Sequence, residues 1–160
     1  VVKYIGTIVF ALAATFTLMI AGGIIGAILF PIGPVTLLSG DEISLAESIG
    51  RMAIVSFYTT VSMTGILAIG LFISTLTTVP VGAMAATVVL TGVSQILDNL
   101  PQLSWLHEWL FTHYWLDFAD ILRQPIELGS FASNALLQLG YVAVFGALAY
   151  SRFSTKDILS

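Results

Sequence analysis

The segment LHEWLFTHYWLDFADILRQP, Leu106 to Pro125, gathers the side chains of this sequence most able to do chemistry. It holds both histidines, three of the nine acids and two of the three tryptophans. HEWLFTH invites comparison with the HExxH zinc motif, in which two histidines four apart share one helix face. Here His107 and His113 are six apart. At 3.6 residues per turn they stand about 240° apart around a regular helix, so a single helix cannot bring both to one metal. The spacing predicts local pairing instead, His113 with Asp117 and Asp120 with Arg123. No metal site is expected. With no cysteine in the chain, thiol catalysis, disulfides and cysteine metal sites are excluded. No GxxxxGK[ST] occurs, so nucleotide is not bound through a P-loop.

The solvent around this segment follows from composition. Of 160 residues 58% are hydrophobic and 9% charged, with a mean hydropathy of +1.01. A soluble domain carries about 25% charged residues, so the chain reads as an integral membrane protein. A net charge of −4 gives no basic footprint for nucleic acid. The sequence opens at Val1 without a basic region, short apolar stretch and cleavage site, so it does not start like a signal peptide, and residues upstream are expected.

Charges fall in clusters, and the charge-free gaps mark the spans. Tyr4 to Gly40, Met52 to Leu97 and Leu128 to Ser151 contain no charged residue. About 20 apolar residues cross a hydrocarbon core of roughly 30 Å. The first gap gives a span over about 4–30, closed by Pro31 and Pro34. The middle gap is too long for one helix and breaks at TLTTVPVG, where Pro80 disfavours helix at Val79. It gives spans over about 46–76 and 81–97, and the last gap a span over about 131–150. In lipid every backbone polar group must be satisfied within its segment, so the fold class is an all-α membrane protein of four transmembrane helices.

Ser44 and Glu47 form a capping box at the start of the second span, and Glu47 with Arg51 is a favourable i, i+4 pair. The segment between the third and fourth spans reads as two short amphipathic helices within 104–123, Ser104 to Phe111 and His113 to Arg123. Trp105, Trp109 and Trp115 are its expected interfacial anchors, since tryptophan favours the membrane–water boundary. Four spans put both termini on one side, with Lys3, Arg152 and Lys156; Arg51 and Arg123 lie on the other. The positive-inside rule then places both termini in the cytoplasm.

No acid or base lies within a span away from its ends, which argues against a proton relay or an ion-coupled pump. The polar residues there are neutral: Thr59, Thr60, Ser62 and Thr64 in the second span, Ser94 and Gln95 in the third, Asn134 and Gln138 in the fourth. They either tie helices together or line a substrate path, for which Thr59, Ser62, Ser94, Gln95 and Gln138 are the candidates. Gly22 with Gly26, Gly82 with Ala86, and Ala143 with Ala147 have the small-xxx-small spacing that lets helices approach closely.

Four stretches resemble one family. They are VVKYIG at the start, IGLFISTLTTVPVGAMAA (Ile69 to Ala86), LFTHYWLDFADILRQP (Leu110 to Pro125) and FGALAYSRFSTKDILS (Phe145 to Ser160). Together they resemble the C-terminal part of a permease subunit of the type 2 class of bacterial ABC exporters. THYWLDFADILR and the terminal aromatic-x-x-Lys-Asp-Ile are the most telling. The resemblance implies six spans, of which these are the third to sixth, with two spans and the main coupling helix upstream. It implies that Ser104 to Arg123 forms extracellular re-entrant helices before the last span, and that Thr75 to Pro80 is a short cytoplasmic loop. Thr77, Thr78 and Val79 would then contact an ATPase. Members often carry a basic residue in that loop; this chain has none.

The expectation is therefore a multi-pass permease in the bacterial plasma membrane. It would work with a second permease, identical or related, and with cytoplasmic P-loop ATPase subunits that bind ATP and Mg. This chain would carry no cofactor and do no bond chemistry. Drugs, peptides and lipids are among the substrates the resemblance allows. The rival readings are a structural or assembly subunit of a larger membrane complex, and an intramembrane enzyme using His107 or His113.

Overall fold

The computed structural model describes residues 2–156. Asp157 and Ile158 of the terminal pattern lie outside the described residues. Among the described residues four helices are long and apolar enough to cross a membrane: α1 (Val2–Leu29), α2 (Leu45–Leu76), α3 (Pro80–Asp98) and α5 (Gly129–Lys156). Between α3 and α5 run a 3-10 turn (Pro101–Leu103), the single-turn helix α4 (Ser104–His107) and a 3-10 helix (His113–Leu122). Strands β1 (Val35–Thr36) and β2 (Glu42–Ile43) form a small antiparallel hairpin between α1 and α2, turned at Gly40, whose φ of +90° favours glycine.

Half of the capping box forms at the start of α2: Ser44 Oγ accepts from the Glu47 amide at 3.2 Å, while the Glu47 carboxylate turns to Arg51 instead of reaching back to Ser44. Its end is set by Pro80. Thr77 and Val79 are extended, Thr77 Oγ1 accepts from the Val79 amide, and Pro80 opens α3 where its missing N–H is not needed.

α2 is the hub. α1 lies antiparallel to it, with the Tyr4 hydroxyl donating to Thr64 O and the Thr15 and Thr60 hydroxyls 3.2 Å apart. α5 runs parallel to it in steady register. Phe57 and Tyr58 meet Phe131, Gly65 meets Gln138, and Phe72 meets Phe145. α3 crosses α2 at Gly70, beside Thr87. α1 has no fully buried residue, and the face turned away from α2, with Val9, Phe10, Leu18 and Ile28 exposed, is left for lipid or for another subunit.

The close helix approach is not at the three small-xxx-small pairs. A Cβ added at Gly22 or Gly26 would meet nothing within 4 Å, and Ala86, Ala143 and Ala147 are exposed. Gly65 holds that place instead, where α5 leaves no room for a side chain on α2.

The connecting segment also differs from the expected pair of short α-helices. α4 ends after one turn, and 113–122 winds with three residues per turn. That period puts Trp115, Phe118 and Ile121 in one row, with Ile121 fully buried and Leu116 exposed. A 3-10 helix also rises about 2.0 Å per residue against 1.5 Å for an α-helix. The extra reach lets one short segment touch α2 at two widely separated levels, near Arg51 and near Ser62.

Candidate functional site

The densest polar structure lies where α2, α5 and the connecting segment meet. Gln138 and Asn134 are one turn apart on α5 and fully buried. Asn134 Nδ2 donates to Ser62 Oγ at 2.7 Å, and Ser62 Oγ donates to Tyr58 O at 3.0 Å. Gln138 Nε2 donates to Phe111 O at 2.8 Å and to Asn134 Oδ1 at 3.2 Å, while its Oε1 accepts from the Gly65 amide at 3.1 Å. Trp115 Nε1 donates to Ser62 O at 3.0 Å, and the Tyr58 hydroxyl donates to Tyr114 O at 2.6 Å. A neutral network thus joins three elements. Among the described residues no buried side-chain polar atom lacks a partner.

A second clasp stands higher on α2. Arg51 is 3% exposed. Its Nη1 donates to Ile121 O at 3.0 Å and Arg123 O at 2.7 Å, and its Nη2 donates to Glu47 at 2.8 Å and to Gln124 Oε1. The Glu47–Arg51 pair expected from spacing is present, but the arginine also holds the end of the 3-10 helix. The loop between the strands joins in, with the Leu38 amide donating to Leu122 O and the Gln124 amide to Ser39 Oγ. From Arg51 to Gly65 α2 rises about 21 Å. The connecting segment therefore packs along α2 over roughly that depth, from Arg123 to Phe111.

The other candidates are placed as follows. Ser94 is buried, with its hydroxyl 2.7 Å from that of Thr112. Gln95, its neighbour, is on the exposed face of α3. Thr59 is half-buried and bonds back to Val55 O within its own helix. Ser62 and Gln138 are thus joined through Asn134, whereas Thr59 and Gln95 stand apart. Thr77, Thr78 and Val79 form the turn between α2 and α3, with Thr78 and Val79 exposed. Trp105 and Trp109 are exposed, 71% and 69%. Trp115 is not an outward anchor: its ring packs on the core of Ile66, Ile69 and Phe111, because the period of three turns it inward.

The histidines come closer than a regular helix allows. The chain turns between α4 and the 3-10 helix and brings their ring centroids to 6.1 Å. His113 Nδ1 meets Asp98 Oδ1 at 2.7 Å rather than Asp117, because the 3-10 period carries Asp117 round to the next row. No ion pair joins Asp120 to Arg123. His107 Nε2 lies 3.1 Å from Leu100 O. Among the described residues no group of three histidines, aspartates and glutamates is placed to hold a metal ion. Burial, reinforced by the neighbouring Asp120 carboxylate, raises the Asp117 carboxyl above its ordinary range, with His113 opposing.

Sequence reasoning named Asn134 among the residues that could tie helices together but missed Arg51 as the clasp. Arg51 binds backbone carbonyls about 70 residues away, and a carbonyl carries no residue-type signal. No family model, curated protein or solved structure matches the chain.

Proposed function

We propose that this chain is the membrane-spanning permease subunit of an ATP-driven exporter in a bacterial plasma membrane. Both termini face the cytoplasm, and ATP hydrolysis is carried out by a separate P-loop ATPase. The observation that carries the reading is the charge-free polar tie of Ser62, Asn134 and Gln138 between α2, α5 and the segment packed against them. The tie itself holds no nucleophile beside a base and no carboxylate; the acids nearest to it, Asp117 and Asp120, belong to the connecting segment and take no part in its bonds. Arg51, the charged group buried at the start of α2, is always protonated and fixed by carbonyls, so it cannot relay protons. A moving bundle of this kind draws its energy from outside, and the sequence resemblance names an ATPase as the source.

In this reading 104–123 is a re-entrant segment. If the membrane part of α2 begins near Met52, Ser62 and Gly65 stand about 15–20 Å deeper, near the middle of a core of roughly 30 Å. The bonds from Trp115 and Gln138 would hold the segment at that depth. Irregular backbone is tolerated there only when buried in protein. The turn Thr77–Val79 would pass movement of the ATPase directly to α2, the helix on which the others pack.

A second reading, a structural subunit of a larger membrane complex, is favoured by one fact. Among the described residues the buried polar side chains are satisfied by one another and by backbone groups, which leaves none turned to a substrate. Isolation of the tagged chain in mild detergent separates the two readings. A P-loop ATPase in stoichiometric amount, with hydrolysis uncoupled from transport by Thr78→Trp, is expected of the permease. A complex without an ATPase selects the structural subunit.

A further inference from the structure

A groove of about 600 Å³ lies between α5 and the turn that joins α4 to the 3-10 helix. Its α5 wall is apolar, with Leu136, Leu137, Gly140 and Val144, and runs about 16 Å from Ser133 to Val144. The facing wall carries Glu108, Trp109 and Tyr114. The Tyr141 hydroxyl, donating to Trp109 O at 2.7 Å, holds the two walls in register. Two of the lining side chains have no use inside the fold. Glu108 is exposed and enters no ion pair among the described residues. The Trp109 indole is 69% exposed, and no hydrogen bond or ring contact engages it among the described residues.

Charge selects the occupant. No lysine or arginine lines the groove, so the phosphate of a phospholipid would meet the Glu108 carboxylate and no cation. A second copy inserted in the same direction brings no lysine or arginine to this level either. Its Arg51 and Arg123 stand together near the start of α2, and its Lys3 and Arg152 at the opposite end of the bundle. A carboxylate beside aromatic faces instead suits an onium ion, because the negative face of a ring attracts a cation and tryptophan does so best. The length of apolar helix behind them suits a cation with an apolar body. We infer that the groove binds one lipophilic organic cation, a quaternary ammonium or phosphonium, with its charge between Glu108 and Trp109 and its apolar body along Leu136, Gly140 and Val144. The site goes beyond the transport reading, since binding needs neither an ATPase nor a moving bundle.

Equilibrium dialysis of the purified chain tests it, with the same neutral detergent micelles in both chambers. Tetraphenylphosphonium and tetraphenylborate serve as probes of one shape and opposite charge. The wild type should bind one phosphonium per chain in preference to the borate. Glu108→Gln changes an exposed, unpaired position and leaves the fold intact; it should weaken phosphonium binding roughly 10-fold and leave the borate unaffected. Trp109→Leu should weaken it roughly 5-fold. Gly140→Leu should abolish it, because a Cβ at Gly140 meets nothing within 4 Å and the added side chain fills the groove. Unchanged phosphonium binding by Glu108→Gln overturns the inference. So does equal binding of the borate, a phospholipid held by the wild type and lost from Trp109→Leu, or a dimer of the chain that this substitution disperses.

Discussion

Gly65→Ala places a methyl group where the Gln138 side chain lies. A Cβ there would overlap Gln138 Oε1 and stand 3.2 Å from Tyr141 Cβ. The amide must swing away, which removes the bond from the Gly65 amide and the donations to Phe111 O and Asn134 Oδ1. Overpacking costs about 1–3 kcal/mol. Interhelical hydrogen bonds in a membrane average about 0.6 kcal/mol, more when a buried acceptor is orphaned. Alanine in place of helical glycine returns about 0.5–1 kcal/mol. The net expectation is a destabilisation of about 2 kcal/mol. Reversible unfolding in mixed micelles, followed by tryptophan fluorescence, measures it, since Trp115 donates to Ser62 O beside the site. The sign should reverse in a Gln138→Ala background, where the space is vacated and Gly65→Ala becomes neutral or stabilising by up to about 1 kcal/mol. A stabilising single substitution, or the same loss in both backgrounds, would refute the reasoning.

Arg51→Leu leaves the carbonyls of Ile121 and Arg123 without their donor; a loss of about 2–4 kcal/mol is expected, with faster proteolysis between Phe111 and Gln124 as the readout. The raised Asp117 carboxyl binds its proton more tightly folded than unfolded, so its contribution is fully present below the ordinary aspartate range and is lost as pH rises through the raised value. Asp117→Asn should therefore raise stability modestly at neutral pH and flatten the acid side of the pH–stability profile in the same unfolding assay. A cysteine introduced by Ser39→Cys should react with an impermeant thiol reagent in intact cells and one introduced by Thr78→Cys should not; the opposite pattern inverts the proposed topology.

The four long helices were legible because charges interrupt the sequence and Pro80 breaks its longest apolar run. The cap at Ser44 and the Glu47–Arg51 pair were legible because both are local. What was not legible depends on which face of an all-round apolar helix turns inward. Ser94 and Gln95 are adjacent and equally polar, yet one is buried and the other exposed, because 100° of helical rotation separates them. The winding of 113–122 decided three further placements at once. A period of three turned Trp115 inward, took Asp117 away from His113, and let the segment reach from Arg51 to Ser62. Nothing in its composition separates a 3-10 helix from an α-helix, since the choice is made by bonds to distant elements.

The central claim is that a partner's ATP hydrolysis drives this subunit. It is tested most directly by the hydrolysis rate of the complex isolated through this chain, compared with the same ATPase stripped of it. A P-loop ATPase in the complex, with a rate that changes several-fold when the chain is removed, is expected. An ATPase that works at the same rate with or without the chain, or a complex that contains none, would contradict it.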